Sequence, residues 1–210
     1  MARLNVSPTR MELSRLKKRL ATARRGHKLL KDKRDELMKK FLEIIRKNQD
    51  LRFRLEDMAL AAERNFVMVS ALMSEQNLEE ALMYPSRTVS TAVSVKNIMG
   101  VEVPVFDYHV EEGGELYCYG FANTSAELDD AVNAMNALLP VLLELAAVEK
   151  SAQLMAHEIE KTRRRVNALE YVMIPQLEET IRYISMKMEE NERGNITRLM
   201  KVKDMVLENK

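Results

Sequence analysis

LSRLKKRLATARRGHKLLKDKRDELMKKFLEIIRKNQDLRFRLEDMALAAERNFVMVSAL, residues Leu13 to Leu72, is the stretch whose reading decides the fold. Alternating steps of three and four from Leu13 land on Leu16, Leu20, Ala23, His27, Leu30, Arg34, Leu37, Phe41 and Ile44. They continue through Asn48, Leu51, Leu55, Met58, Ala62, Asn65, Val69 and Leu72. Fourteen of these eighteen positions are apolar, where a chain that is 46% hydrophobic would place about eight by chance. A heptad held for so long without a skip specifies a coiled-coil helix. At 1.5 Å per residue that helix is roughly 100 Å long. Upstream, Ser7-Pro8-Thr9 reads as its start, with Ser7 as N-cap and Pro8 in the first helical position. Among the seam residues, His27, Arg34 and Asn48 are read as polar positions that set register and partner at some expense of stability. Gly26, in mid-helix, is read as a place where the facing helix approaches closely.

The helical pattern is expected to run up to Tyr84-Pro85, because proline lacks a backbone donor and biases its predecessor away from helix. Beyond it the period changes to two. TVSTAVSVK (Thr88–Lys96) and VEVPVFDYHV (Val101–Val110) are β-branched and alternating, Gly113-Gly114 follows as a turn, and LYCYGF (Leu116–Phe121) is a further short extended piece. One or two hairpins are expected here, with Pro104 placing its strand at an edge.

Thr124-Ser125-Ala126-Glu127 has the form of a capping box and opens a second long helix. Its seam reads Met155, Ile159, Thr162, Val166, Leu169, Met173, Leu177, Ile181, Ile184 and Met188. Around Met173 the steps of four, four and three amount to an eleven-residue repeat that locally unwinds a left-handed supercoil, and Pro175 inside it predicts a kink. Pro140 predicts another, and Leu199, Val202 and Val206 carry the stripe onward. The fold class is therefore dominated by α-helix: a long antiparallel two-helix coiled coil with a small β-hairpin insert. The divisions fall at 1–83 for the first helix, 84–122 for the insert and 123–210 for the second helix. Leu37–Ile44 is expected to face Met173–Ile181.

Composition fits a thin, elongated core. Charged residues make up 31%, aromatics only 5%, Trp is absent, and Gly (6) and Pro (5) are scarce beside 15 Met. The net charge of +1 conceals a polarity. Residues 1–60 hold 18 Lys/Arg against 8 Asp/Glu, residues 61–149 hold 3 against 14, and residues 150–210 hold 12 against 10. Such segregation implies that different partners meet different parts. Cys118 is the single cysteine, so no internal disulfide can form. The opening Met-Ala-Arg-Leu-Asn has no apolar signal core, and no run of 18 apolar residues occurs, so no direct membrane insertion is expected and the location is read as cytoplasmic.

Catalytic machinery is not recognisable. Gly113-Gly114 lacks the Lys-Ser/Thr of a phosphate loop, and His27, His109 and His157 stand alone, without a second ligand at metal spacing. No catalytic, cofactor-binding or metal residues are assigned, and no cofactor is expected. Arg15-Leu16-Lys17-Lys18-Arg19 and Arg163-Arg164-Arg165 could meet nucleic acid, but no aromatics are interleaved and the cations encircle the helix, so they read as faces for solvent or acidic protein.

Two segments carry a family resemblance. NVSPTRMELSRLKKRLATARRGHKLLKDKRDELM (Asn5–Met38) resembles the N-terminal helix of the D subunit of V-type/archaeal-type ATPases, and EIEKTRRRVNALEYVMIPQLEETIRYI (Glu158–Ile184) resembles its C-terminal helix. Together they span more than a quarter of the chain, and GHKLLKDKRDEL and RRRVNALEYVMIP are the most specific parts. The resemblance implies a left-handed antiparallel coiled coil acting as a central rotor shaft. The tip bearing both termini would enter a ring of catalytic A and non-catalytic B subunits, with the small F subunit of the central stalk beside the coiled coil. The far end would seat in the adaptor subunit on the membrane rotor ring, and the hairpin would modulate ATPase activity. The shaft itself would be non-catalytic and peripheral to the membrane. A coiled-coil scaffold without a rotary role accounts for the heptads alone, but not for two separated segments that resemble one family.

Overall fold

In a computed structural model the described residues are 4–84, 88–110, 116–120, 122 and 124–208. The elements are α1 (Arg10–Leu72), α2 (Glu75–Leu82), β1 (Val89–Ile98), β2 (Val101–Val110), α3 (Ala126–Ala168), a π-helical turn (Leu169–Met173) and α4 (Ile174–Glu208). Of the eighteen heptad positions in α1, seventeen are buried or half-buried, and only Leu72, the last residue of the helix, is exposed at 61%. The heptad therefore describes the buried face of α1 closely. Its start differs from the expectation. Thr9, not Ser7, caps the helix: its hydroxyl accepts the Glu12 N–H at 3.3 Å and its carbonyl the Leu13 N–H at 3.0 Å. The far end also differs. α1 stops at Leu72 instead of continuing to Tyr84, because Ser74 supplies a new N-cap, accepting the Asn77 N–H and starting α2.

The chain divides into two compact units. One comprises Met1–Glu36 and Ile159–Lys210, the other Leu37–Glu158. In the terminal unit, buried Leu16 and Ala23 of α1 pack with Leu177 and Ile184 of α4. Arg10 pairs with Glu192 at 2.6 Å and Arg24 with Glu178 at 2.7 Å, so the helices run antiparallel. The segment facing Met173–Ile181 is thus near Ala23 and His27, not Leu37–Ile44. The register is displaced because α4 continues to Glu208, past Glu192, which faces Arg10 at the start of α1. The N-terminal tail folds back on this pair: the Leu4 N–H donates to the buried Thr180 hydroxyl at 3.2 Å.

The π turn revises the seam of the C-terminal helix. Met173 lies outside the core and Ile174 packs into it, so the step from Leu169 is five residues. The Ile174 N–H bonds the Leu169 carbonyl, five residues back, which is the π hydrogen bond. One extra residue is thereby absorbed, and on either side the alternation of three and four is intact. Pro175 follows at once, where its missing N–H and its ring would obstruct an ordinary α turn.

In the central unit Leu51 packs with Val141 and Leu145, and Val69 and Met73 pack with Leu128 and Ala131. The helical run Ala126–Leu207 contains an 18-residue window of mean hydropathy 1.7, apolar enough to cross a membrane by length and composition. It is not an unbroken apolar run, because isolated polar residues such as Asn136 and Glu144 interrupt it. Part of this apolarity serves the protein interior, through the packing of Val141 and Leu145 on Leu51. The expected capping box does not form. The Thr124 hydroxyl donates to the Gly120 carbonyl at 2.8 Å; Ser125 stands at the helix entrance, its carbonyl accepting the Leu128 N–H and its buried Oγ without a hydrogen-bond partner among the described residues.

β1 and β2 form one antiparallel hairpin, in register from Val89↔Val110 to Ile98↔Val101. The turn is Met99-Gly100, with φ of 54° and 87°. Both signs are those of a type I′ turn. It comes earlier than Gly113-Gly114, which lie outside the described residues. Asn97 Oδ1 accepts the Gly100 N–H at 2.8 Å and tightens the turn. Counting back from Ile98↔Val101, Pro104↔Val95 is a pair whose N–H groups point away from the partner strand, so β2 tolerates its proline. Residues 116–120 form no strand, and Phe121 is outside the described residues. Val101 and Val103 are buried, whereas β1 is exposed along nearly its whole length. Met99 in the left-handed region carries a penalty of about 1–2 kcal/mol. Met99→Asn, which completes the favoured Asn-Gly turn, is expected to slow amide exchange across β1 and β2 about fivefold, read by hydrogen–deuterium exchange.

Candidate functional site

The three histidines lie on different elements. His27 Nε2 lies 3.3 Å from Glu170 in the terminal unit, His109 is exposed on β2, and His157 is exposed on α3. Among the described residues, no group of three or more His, Cys, Asp or Glu is placed to hold a metal ion. Cys118 is exposed. What the fold builds instead is a set of surfaces.

The first is the junction of the helices. In the terminal unit Arg10, Arg24 and His27 of α1 meet Glu192, Glu178 and Glu170. In the central unit Lys47 meets Glu144 at 2.6 Å, and Arg52 meets Glu149. In the Arg and Lys pairs α1 brings the cation and the C-terminal half brings the carboxylate. Such exposed pairs add little stability singly, about 0–1 kcal/mol. Of the polar seam residues, His27 joins this ladder. Arg34 turns to its neighbour Asp35 at 2.7 Å. At Gly26 a Cβ would stand in open space, so close approach of the facing helix is not the reason for that glycine.

The second surface is the end of α4. Opposite Glu192 lies Arg10, the first residue of α1. Past that point Ile196, Leu199, Met200, Val202, Met205, Val206 and Leu207 are all exposed, Leu199 at 68%. Apolar residues exposed in such number, on a helical end with no partner among the described residues, form a patch of the kind that interaction surfaces present. Arg15, Lys17, Lys18 and Arg19 on the first turns of α1 are exposed as well, giving this end a basic collar.

A third arrangement was missed by sequence reasoning. Tyr119 donates to Asp129 Oδ1 at 2.5 Å, Asn133 Nδ2 donates to the Tyr117 hydroxyl at 2.5 Å, and the two rings meet edge to face with centroids 6.1 Å apart. Burial and the Asp129 carboxylate hold the Tyr119 proton well above the ordinary tyrosine range. These bonds fasten the segment after the hairpin to the first turns of α3. Only the Tyr-x-Tyr spacing signalled it.

Comparison with known proteins adds a lineage to this geometry. A family model for the D subunit of ATP synthase matches residues 12–204. The chain is 63% identical over 210 residues to the V-type ATP synthase D subunit of Acetivibrio thermocellus, spanning 99% of this chain and 95% of that protein. It is 62% identical over 209 residues to the protein of the same name from Clostridium novyi, spanning 98% and 97% of the two chains. The counterpart from Clostridium botulinum strain Langeland is 60% identical over 209 residues, again spanning 98% and 97%.

Proposed function

This chain belongs to the family of ATP synthase D subunits, a central-stalk component of the rotary V-type ATPase, and on that premise we propose how its surfaces are used. The exposed apolar end of α4, with the basic collar of α1 beside it, enters the ring of alternating A and B subunits. The F subunit of the central stalk lies along the paired helices, and the adaptor subunit of the membrane rotor ring receives the opposite end of the shaft. The chain catalyses nothing itself and stays peripheral to the membrane, in the cytoplasm.

The observation that carries this reading is the run of exposed apolar residues from Ile196 to Leu207. A single helix projecting past its partner has no threefold symmetry. Seated in a ring with three catalytic sites, it offers each one a different set of contacts. Differential contact is what lets one element bias otherwise identical sites into different states, and by linkage lets their chemistry turn the element. The rest of the chain must then carry torque, which the seam and the cross-helix ion pairs serve by resisting slippage of one helix along the other.

The test is reconstitution with A and B subunits from the same source, with and without the F subunit, followed by size exclusion and ATP hydrolysis on the same fractions. One copy per ring, with altered turnover, is the expected result. An intact, active ring that leaves this chain unbound removes the shaft reading.

A further inference from the structure

The π turn leaves the C-terminal helix with two ways to place the same residues in its seam. A heptad seam covers seven residues in two steps, and from Leu169 to Leu177 the distance is eight. In the observed arrangement the steps are five and three: Ile174 packs on the core with Leu177, and Met173 is 41% exposed. Steps of four and four place Met173 in the same seam position instead, on an unbroken α-helix with a locally unwound supercoil. Few hydrogen bonds separate the two. The Ile174 N–H reaches the Leu169 carbonyl in the π turn. In an α-helix it would reach the Glu170 carbonyl, and the Met173 N–H would take Leu169. Pro175 bounds the exchange on the far side, because it has no N–H to move.

The surroundings confine the change to this level. Beyond the turn, Arg24–Glu178 and Arg10–Glu192 stand fourteen residues apart on both helices, so the pair runs in step there. Within the turn, Glu170 lies 3.3 Å from His27 of α1. Beside His27 is Gly26, where a Cβ would meet nothing, and glycine is the poorest helix former after proline. Both helices therefore carry a backbone weakness at the same level.

We propose that the π turn is a two-state register element, in which Met173 and Ile174 exchange in one seam position and the local twist of α1 about the C-terminal helix changes with them. Pro175 favours the resting state, because its ring obstructs the ordinary α turn that the Met173 state needs. Both side chains are apolar and of similar size, so the seam is filled either way. The use of the exchange rests on the shaft reading: in a shaft, load shifts the balance between two discrete twists.

The experiment reads thiol labelling in full-length chains that carry Cys118→Ser with either Met173→Cys or Ile174→Cys. A maleimide is expected to reach position 173 about tenfold faster than position 174. Adding Pro175→Ala is expected to shrink that ratio about fivefold, with 173 protected as 174 opens. Met173→Lys, whose charge is excluded from the seam, is expected to keep position 174 slow even beside Pro175→Ala. A ratio that Pro175→Ala leaves unchanged, or two positions that open together, overturns the inference. In the complex reconstituted with A and B subunits, Met173→Lys is expected to assemble and to hydrolyse ATP about threefold more slowly than the parent. Val172→Lys, exposed in the same turn and outside the seam in both states, is expected to keep full turnover. Equal turnover of the two variants, or failure of Met173→Lys alone to assemble, overturns the use of the exchange and leaves the shaft reading standing. A parent chain that does not join the ring removes the shaft reading, and the labelling ratio still decides the exchange.

Discussion

Leu177→Ala is expected to lower the thermal midpoint by roughly 10 °C. Leu177 is fully buried between Leu16, Ala23 and Ile184 in the terminal unit. A leucine truncated in such a site loses transfer free energy and leaves a cavity, together about 2–5 kcal/mol. For a chain of this size each kcal/mol moves the midpoint by about 2–4 °C. Leu199→Ala serves as its counterpart. Leu199 is the same residue type on the same helix, but it is exposed, so its removal leaves the midpoint in place. In the shaft reading it weakens binding to the A/B ring instead. Circular dichroism melts and ring co-elution on both variants separate the two roles. A midpoint for Leu177→Ala within 2–3 °C of the parent would show that the seam of α1 and α4 is not the main support of the terminal unit.

A chain lacking Met173 and carrying Pro175→Ala is expected to be more stable than the parent. Removing one residue from the π turn brings Ile174 to the fourth position after Leu169, so the seam from Met155 to Met188 becomes an unbroken alternation of four and three. The alanine restores the N–H that proline lacks. The deletion alone is expected to destabilise by about 3 kcal/mol, because proline would then sit inside an ordinary α turn against the carbonyl four residues back. Deleting exposed Arg182 instead, with no extra residue nearby to absorb, rotates buried Ile184 out of the seam and should lower the midpoint by roughly 10 °C. Thermal melts of the three variants give the ranking. A double variant less stable than the deletion alone would mean that the π turn answers to some contact other than the seam.

The heptad of α1 was fully legible in the sequence, because a period repeated over many turns averages out individual polar residues such as Asn48. The irregularity of the second helix was legible too, but not its form. A step from Leu169 to Met173 and one from Leu169 to Ile174 are equally apolar, and only the packing of Ile174 on the core chooses between them. Caps were harder: Ser7 and Thr9 both have the chemistry, as do Thr124 and Ser125, and only the backbone path decides which hydroxyl faces the free N–H groups, as that of Thr9 faces Glu12. The hairpin turn was hidden because methionine rarely takes a positive φ, so Met99-Gly100 does not advertise itself as Asn-Gly would. The functional surfaces divide the same way. The basic collar and the apolar stripe near the C-terminus are visible in the sequence. The Tyr117–Asn133 and Tyr119–Asp129 bonds join residues from different elements and needed coordinates.

The division of charge in the ladder also governs what the chain declines to do. A heptad helix as long as α1 would ordinarily be at risk of self-sorting into bundles with further copies of itself. Here residues 1–60 carry 18 basic residues against 8 acidic ones, and Arg10, Arg24, Lys47 and Arg52 find their carboxylates on the other half of the same chain. Two copies of α1 brought side by side would set like charge against like, with the complementary charges left behind. Each polypeptide is thus electrostatically closed upon itself. In the shaft reading, a chain that does not pair with its own copies reaches the A/B ring as a single axle.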